Sequence, residues 1–94
     1  MSDVYSRLKQ LMEFPSLVDF RVIVDAKVIN ALDEVKKCIS AIEPEGLKPI
    51  SKPGTPSRNG NYISYTIPVM VSSAPKLESL YKEIASMPCV KHIL

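Results

Sequence analysis

Residues 17–26 run Leu17-Val18-Asp19-Phe20-Arg21-Val22-Ile23-Val24-Asp25-Ala26. Val18, Phe20, Val22 and Val24 fall on one side at a period of two. Asp19, Arg21 and Asp25 fall on the other, together with Leu17 and Ile23. Alternation of β-branched and aromatic residues with charged ones marks a strand that is buried on one face only. Such a strand needs a second layer against its apolar face, and it leaves the opposite face to water or to a partner.

Asn61–Ser72 repeats the pattern. Ile63, Tyr65, Ile67, Val69 and Val71 share one face, and Tyr62, Ser64, Thr66, Pro68 and Met70 share the other. Pro68 has no amide hydrogen to give to a ladder, so the expectation at that point is a bulge or the end of the neighbouring strand. The two strands are separated by a helix. Asn30 is placed to cap it, Asp33 and Glu34 suit its first turn, and Leu32, Val35, Ile39 and Ile42 make its apolar stripe. Glu43-Pro44-Glu45-Gly46 ends it. A second helix follows the second strand, with Ser72 or Ser73 as its cap and Pro75 in its first turn. Leu77, Leu80, Tyr81, Ile84 and Met87 give this helix the cleanest amphipathic pattern in the chain. Pro88 ends it, and Val90–Leu94 reads as a last short strand.

Residues 43–61 hold all three glycines and four of the eight prolines. Within them Leu47–Lys52 reads as a short strand, at an edge because of Pro49. Pro53–Gly60 reads as a loop, with Asn59-Gly60 as its turn dipeptide. Ahead of everything, Leu8, Leu11 and Met12 have helical spacing, so residues 1–14 read as a short helical arm ended by Phe14-Pro15.

The element order is therefore β-α-β-β-α-β in a single domain of 94 residues. Two helices on one face of a four-stranded antiparallel sheet satisfy every apolar stripe at once. Right-handed crossovers give the strand order 4-1-3-2, which is the ferredoxin-like α+β fold.

The chain is 46% hydrophobic and 23% charged with no tryptophan, a globular composition that excludes a disordered tail. No apolar run is long enough to span a membrane. The first ten residues lack the pattern of a secretion signal, so a cytoplasmic location is expected. Cys38 and Cys89 are far apart in sequence and read as two reduced thiols. One histidine, His92, is too few for a zinc site, and no cofactor is expected. The net charge of +2 is unevenly spread. Residues 46–77 carry Lys48, Lys52, Arg58 and Lys76 and no acid, which makes this segment a candidate contact for an anionic group.

Fold does not fix function, so each familiar use of this scaffold has to be tested on residues. A metal chaperone needs paired cysteines after the first strand, where this chain has Asp25-Ala26-Lys27-Val28. An acylphosphatase-like site needs a glycine-rich cradle with an arginine, and that is lacking too. An RNA platform needs aromatic residues on both central strands, but the open face offers Tyr62 alone, facing Asp19, Arg21 and Asp25. Plain alternation along the last strand puts His92 with Val90 and Leu94, which reads as a packing residue. The same alternation puts Ile93 on the open face. There Ile23, Tyr62, Ser64, Thr66, Met70 and Ile93, mixed with Arg21 and Lys91, make a surface apolar enough for self-association or a partner.

Three stretches, in order, resemble the YbeD-like family of small bacterial proteins. They are Leu11-Met12-Glu13-Phe14-Pro15, the hairpin from Lys52-Pro53 to Asn61-Tyr62, and Leu80-Tyr81-Lys82-Glu83 with the ending Val90-Lys91-His92-Ile93-Leu94. The resemblance spans Leu8 to Leu94. It implies a fold similar to the ACT regulatory domains, a regulatory role, and a link to lipoate metabolism, without supplying an activity. Two features depart from the family pattern: the longer loop Gly54-Thr55-Pro56-Ser57, and His92 where an apolar residue is expected.

The reading that follows is a non-catalytic regulatory or protein-interaction module. Its candidate contact residues are Lys52, Arg58, Asn61 and Tyr62, and its candidate self-association face is Ile23, Ser64, Thr66, Met70 and Ile93. The alternatives are nucleic-acid binding through the basic 48–62 segment and a small-metabolite sensor at a dimer interface.

Overall fold

The computed structural model describes residues 13–94. The helical arm expected from Leu8, Leu11 and Met12 lies outside them. The elements are β1 (Ser16–Asp25), α1 (Ala31–Ile42), β2 (Thr55–Pro56), β3 (Tyr62–Val71), α2 (Ala74–Ala85) and β4 (Val90–Ile93). The four strands form one sheet in the order β2-β3-β1-β4. All its pairings are antiparallel, and both helices feed its core. This is the ferredoxin-like arrangement that the alternating and helical patterns require.

β1 and β3 pair without interruption from Ser16↔Val71 to Asp25↔Tyr62. Their apolar faces therefore coincide. Phe20, Val22 and Val24 from β1 and Ile67, Val69 and Val71 from β3 are at most 2% exposed. Val35 and Ile39 of α1 and Leu77, Leu80 and Ile84 of α2 close over them and are equally buried. Each such side chain contributes about 1.5–3 kcal/mol by leaving water. The Phe20 ring meets the Tyr81 ring with centroids 5.1 Å apart and planes tilted by 58°. Burial pushes the Tyr81 phenol above its usual range.

Pro68 makes no bulge, because the β1–β3 register runs through it unchanged. Its carbonyl accepts from the Lys48 amide at 3.0 Å. The nitrogen and carbonyl of one strand residue point to the same side. The missing amide hydrogen therefore faces the outer edge of β3, where the sheet can spare it.

That outer edge is covered in two pieces instead of by one strand over 47–52. Leu47 bridges to Val69, and Thr55–Pro56 pairs with Ile63 and Ser64. Gly46 makes the first piece possible. A Cβ there would run into the Met70 carbonyl, whose own amide donates to the Gly46 carbonyl at 2.8 Å. Only a residue without a side chain lets the two backbones approach so closely.

The helix ends are held in unequal ways. Asn30 precedes α1 but its side chain does not cap the backbone; its Nδ2 donates instead to the Glu34 carboxylate at 3.3 Å. Ser73 does cap α2, accepting from the Lys76 amide at 3.4 Å, with Pro75 in the first turn. The C-terminus of α1 is fastened to the β3–α2 turn. Glu43 is 7% exposed, and one of its carboxylate oxygens accepts from the Ser72 amide at 2.7 Å and the Ser72 hydroxyl at 2.9 Å. Lys76 Nζ donates to the Ile42 carbonyl at 2.9 Å, where a cation also suits the helix dipole.

β4 does not follow plain alternation. Val90 lies opposite Val24 and His92 opposite Ile23, so one step on β1 spans two on β4 and Lys91 is the extra residue of a bulge. Ile93 then lies opposite Val22 and packs on the core, not on the open face. His92 is exposed on the open face rather than packed with Val90. The bulge exchanges the two residues that simple alternation had assigned.

Candidate functional site

The hairpin joining β2 to β3 is built from turn chemistry. The Ser57 amide donates to the Tyr62 carbonyl at 2.8 Å, and the Gly60 amide to the Ser57 carbonyl at 3.0 Å. The Tyr62 amide donates to Ser57 Oγ at 3.1 Å. Arg58 and Asn59 occupy the centre of the turn, and Gly60 closes it at a φ of 74°, a conformation that glycine adopts at no steric cost. The turn is centred one residue earlier than the Asn59-Gly60 dipeptide suggests. The Asn61 carbonyl accepts from the Ala26 amide at 3.0 Å, tying the hairpin to the loop after β1.

Of the four expected contact residues, Lys52, Arg58 and Asn61 are exposed, and Tyr62 is exposed at the threshold of β3. Tyr62 and Asn61 belong to one ordered hairpin with Arg58. Lys52 lies ahead of β2, in the stretch that spans the two edge contacts. Of the five residues expected on the self-association face, Ile23, Ser64, Thr66 and Met70 do share the open side of the β1–β3 pair, and Ile93 does not.

The open face has a shallow groove of about 600 Å³ at the hairpin end of the sheet. Ile23, Pro56 and Tyr62 supply its apolar surface. Thr55, Ser57, Ser64, Lys91 and His92 supply its polar one. Lys91, the extra residue of the β4 bulge, has its Nζ 5.7 Å from the centre of the Tyr62 ring, within the range of a cation–π contact. Arg21 stands beside the groove with its Nε 3.4 Å from Ser64 Oγ. Sequence reading placed Ile23, Tyr62, Ser64 and Lys91 on this face but missed Thr55, Pro56, Ser57 and His92. Their place depends on a two-residue strand and a bulge, neither of which leaves a periodic signal.

The polar groups of the groove are not arranged for nucleophilic chemistry. Ser57 Oγ is engaged by a backbone amide and Ser64 Oγ by Arg21. Among the described residues no hydroxyl or thiol is hydrogen-bonded to His92, as a nucleophile–base pair would require. Cys38 lies on α1, where burial, followed by the Glu83 carboxylate, pushes its thiol up, opposite to what a reactive cysteine needs. Cys89 is buried, and both thiols are free. No group of metal-ligating side chains is gathered among the described residues. Nor is any of their helices long and apolar enough to cross a membrane.

A ferredoxin-like α+β domain with an ordered basic hairpin beside a sheet face that no described helix covers is the class that fold and site define. Residues 9–94 match the family described as "Protein of unknown function (DUF493)". The chain is 35% identical over 89 residues to a UPF0250 protein of Shewanella halifaxensis, covering 95% of this chain and 97% of that one. It is 33% identical to a UPF0250 protein of Leptothrix cholodnii over 94 residues, the whole of both chains. A UPF0250 protein of Shewanella sediminis is 36% identical over 89 residues, again covering 95% of this chain and 97% of the relative. The chain belongs to this bacterial DUF493/UPF0250 family, the YbeD-like proteins that its three motifs resemble. The family has no assigned catalytic role.

Proposed function

We propose that the chain is a non-catalytic regulatory module that acts in the cytoplasm by presenting the 52–62 hairpin to a protein partner. The observation that carries this reading is the order of the hairpin. Three hydrogen bonds within it and one to the loop after β1 fix its backbone, while Arg58, Asn61 and Tyr62 remain exposed. A pre-formed loop loses little entropy on binding, which is what a recognition surface requires. Arg58 and Lys52 supply charge-assisted bonds to acidic groups, with Arg58 able to grip a carboxylate through two donors. Lipoate metabolism, implied by the resemblance to the YbeD-like family, is the first place to look for the regulated target.

The test has two steps. Capture from a nuclease-treated lysate of the source cell names a protein, and the affinity of the purified pair is then measured for the wild type and for the Lys52→Ala, Arg58→Ala double variant. Both positions are exposed, so the fold and melting temperature are expected to hold while affinity falls by about tenfold. An unchanged affinity would sink the hairpin as the contact. Loss of every captured component on nuclease treatment would put nucleic acid in its place.

A further inference from the structure

The donors and acceptors that line the groove on the open face are not balanced. Ser57 Oγ already accepts the Tyr62 amide, and Ser64 Oγ already accepts from Arg21 Nε. Each oxygen has taken a donor, so each hydroxyl keeps its own hydrogen to give. Lys91 adds an ammonium, which has donors and no acceptor, and the His92 imidazole carries at least one N–H. Among the described residues no carboxylate lines the groove. The two acids of the same sheet face are turned to other uses or placed elsewhere. Asp25 accepts the Lys27 amide at 2.9 Å, and Asp19 lies opposite Pro68, farther along the strand.

A set of donors with positive charge on an apolar floor fits an occupant that is acidic and partly apolar. The groove's shape decides between a free metabolite and a protein. Small-molecule sites enclose most of their ligand, whereas this groove is shallow and open along the sheet. A free carboxylate would stay largely wet here and bind feebly. An acidic side chain delivered by a polypeptide is backed by the rest of that chain, lying over Ile23, Pro56 and Tyr62.

We propose that this groove is a docking site for an acidic, partly apolar peptide segment of a partner protein, whose carboxylates are taken by Lys91 and by the hydroxyls of Ser57 and Ser64. The proposal deepens the interaction-module reading, on which it rests, by giving the partner segment its chemistry. Nucleic acid fits less well, because Tyr62 is the one aromatic on this face among the described residues, too few to stack successive bases. The bulge is what equips the site, since it sets Lys91 and His92 on the open face together.

The test uses the full chain and a defined probe, a capped six-residue peptide alternating glutamate and leucine, followed by amide chemical shifts in heteronuclear NMR. The expected result is saturable shifts concentrated at Ser57, Tyr62, Ser64, Lys91 and His92. Salt high enough to shorten the Debye length to about 3 Å should largely abolish them. Lys91→Glu should weaken binding by about tenfold, and Lys91→Ala by less. Inorganic phosphate and a peptide alternating lysine and leucine are the controls. Shifts absent at millimolar probe, shifts equal for the lysine peptide, or a stronger response to phosphate would each overturn the proposal. So would sedimentation showing that the groove is covered by a second copy of the chain. The groove and the hairpin fail separately. A silent groove with a weakened Lys52→Ala, Arg58→Ala variant removes this inference alone, whereas an unaltered double variant removes only the hairpin contact.

Discussion

β1 is paired on both sides, and the two pairings differ in kind. Toward β3 it runs from Ser16↔Val71 to Asp25↔Tyr62 in one register. Toward β4 it pairs only through Val22, Ile23 and Val24, with the register shifting between the last two. The long ladder builds the core, and the short one equips the surface. Along an unbroken ladder the side-chain period of two is enough to tell inside from outside. One extra residue cancels that rule for everything beyond it, which is how His92 and Ile93 come to exchange faces.

The largest expected effect lies on the unbroken side. Phe20 is fully buried opposite Ile67 and against the Tyr81 ring. Phe20→Ala should cost about 3–5 kcal/mol, read as a lower urea midpoint with an unchanged slope. A loss below about 1 kcal/mol would mean that the long ladder is not where the stability of the fold is concentrated.

The end of that ladder offers the next test. β3 stops at Val71, and the Ser72 amide that follows has the Glu43 carboxylate as its acceptor. Glu43→Ala leaves this part-buried amide without that partner and should cost about 1–3 kcal/mol. Glu43→Gln keeps an acceptor oxygen and should recover most of the loss. Equal destabilisation by both variants would show that the ionised carboxylate, and not simply an acceptor, holds the end of β3.

The core face, the helix stripes and the strand order were legible because each rests on a period longer than any local irregularity. Ile63, Tyr65, Ile67, Val69 and Val71 announce one face whatever the loops do. Four features of the structure had no such signal. β2 is two residues long, Leu47 contacts β3 on its own, Glu43 finds Ser72 across 29 positions of sequence, and Lys91 is a single inserted residue. At Pro68 the pairing decides between a bulge and the end of the neighbouring strand: the β1–β3 register passes it unchanged, and on its outer side the β2 ladder stops at Ser64. Proline forbids one hydrogen bond, and only the pairing shows that this bond would point to the edge.

The exchange of faces in β4 can be tested directly. Ile93 is half-buried on the core beside Val22, so Ile93→Ala should cost about 1–2 kcal/mol, less than a fully buried isoleucine would. His92 is exposed, so His92→Ala should stay within about 0.5 kcal/mol of the wild type. The reverse ranking in thermal or urea melts would restore plain alternation and remove the bulge.

A small effect on stability is expected also from the most pointed variant, deletion of Lys91. Without it, Val90, His92 and Ile93 become consecutive and can meet Val24, Ile23 and Val22 one to one, each on the face it already occupies. The ladder is then regular, and the core keeps both Val90 and Ile93. A bulge is a local disruption that a strand survives without, so the change in stability should lie within about 1 kcal/mol. Contacts between His92 and Ile23 across the strands should persist in the NMR spectrum, while the groove loses its ammonium and its hold on the acidic peptide. If the deletion instead turned His92 inward and Ile93 outward, the register would have slid, and something other than the inserted lysine would be setting the faces of β4. If stability and peptide binding both held, the bulge would be dispensable for the fold and Lys91 would not be the cation of the groove. Stability retained with binding lost separates the two roles of the strand: Val90 and Ile93 close the core, and the extra residue between them serves the surface alone.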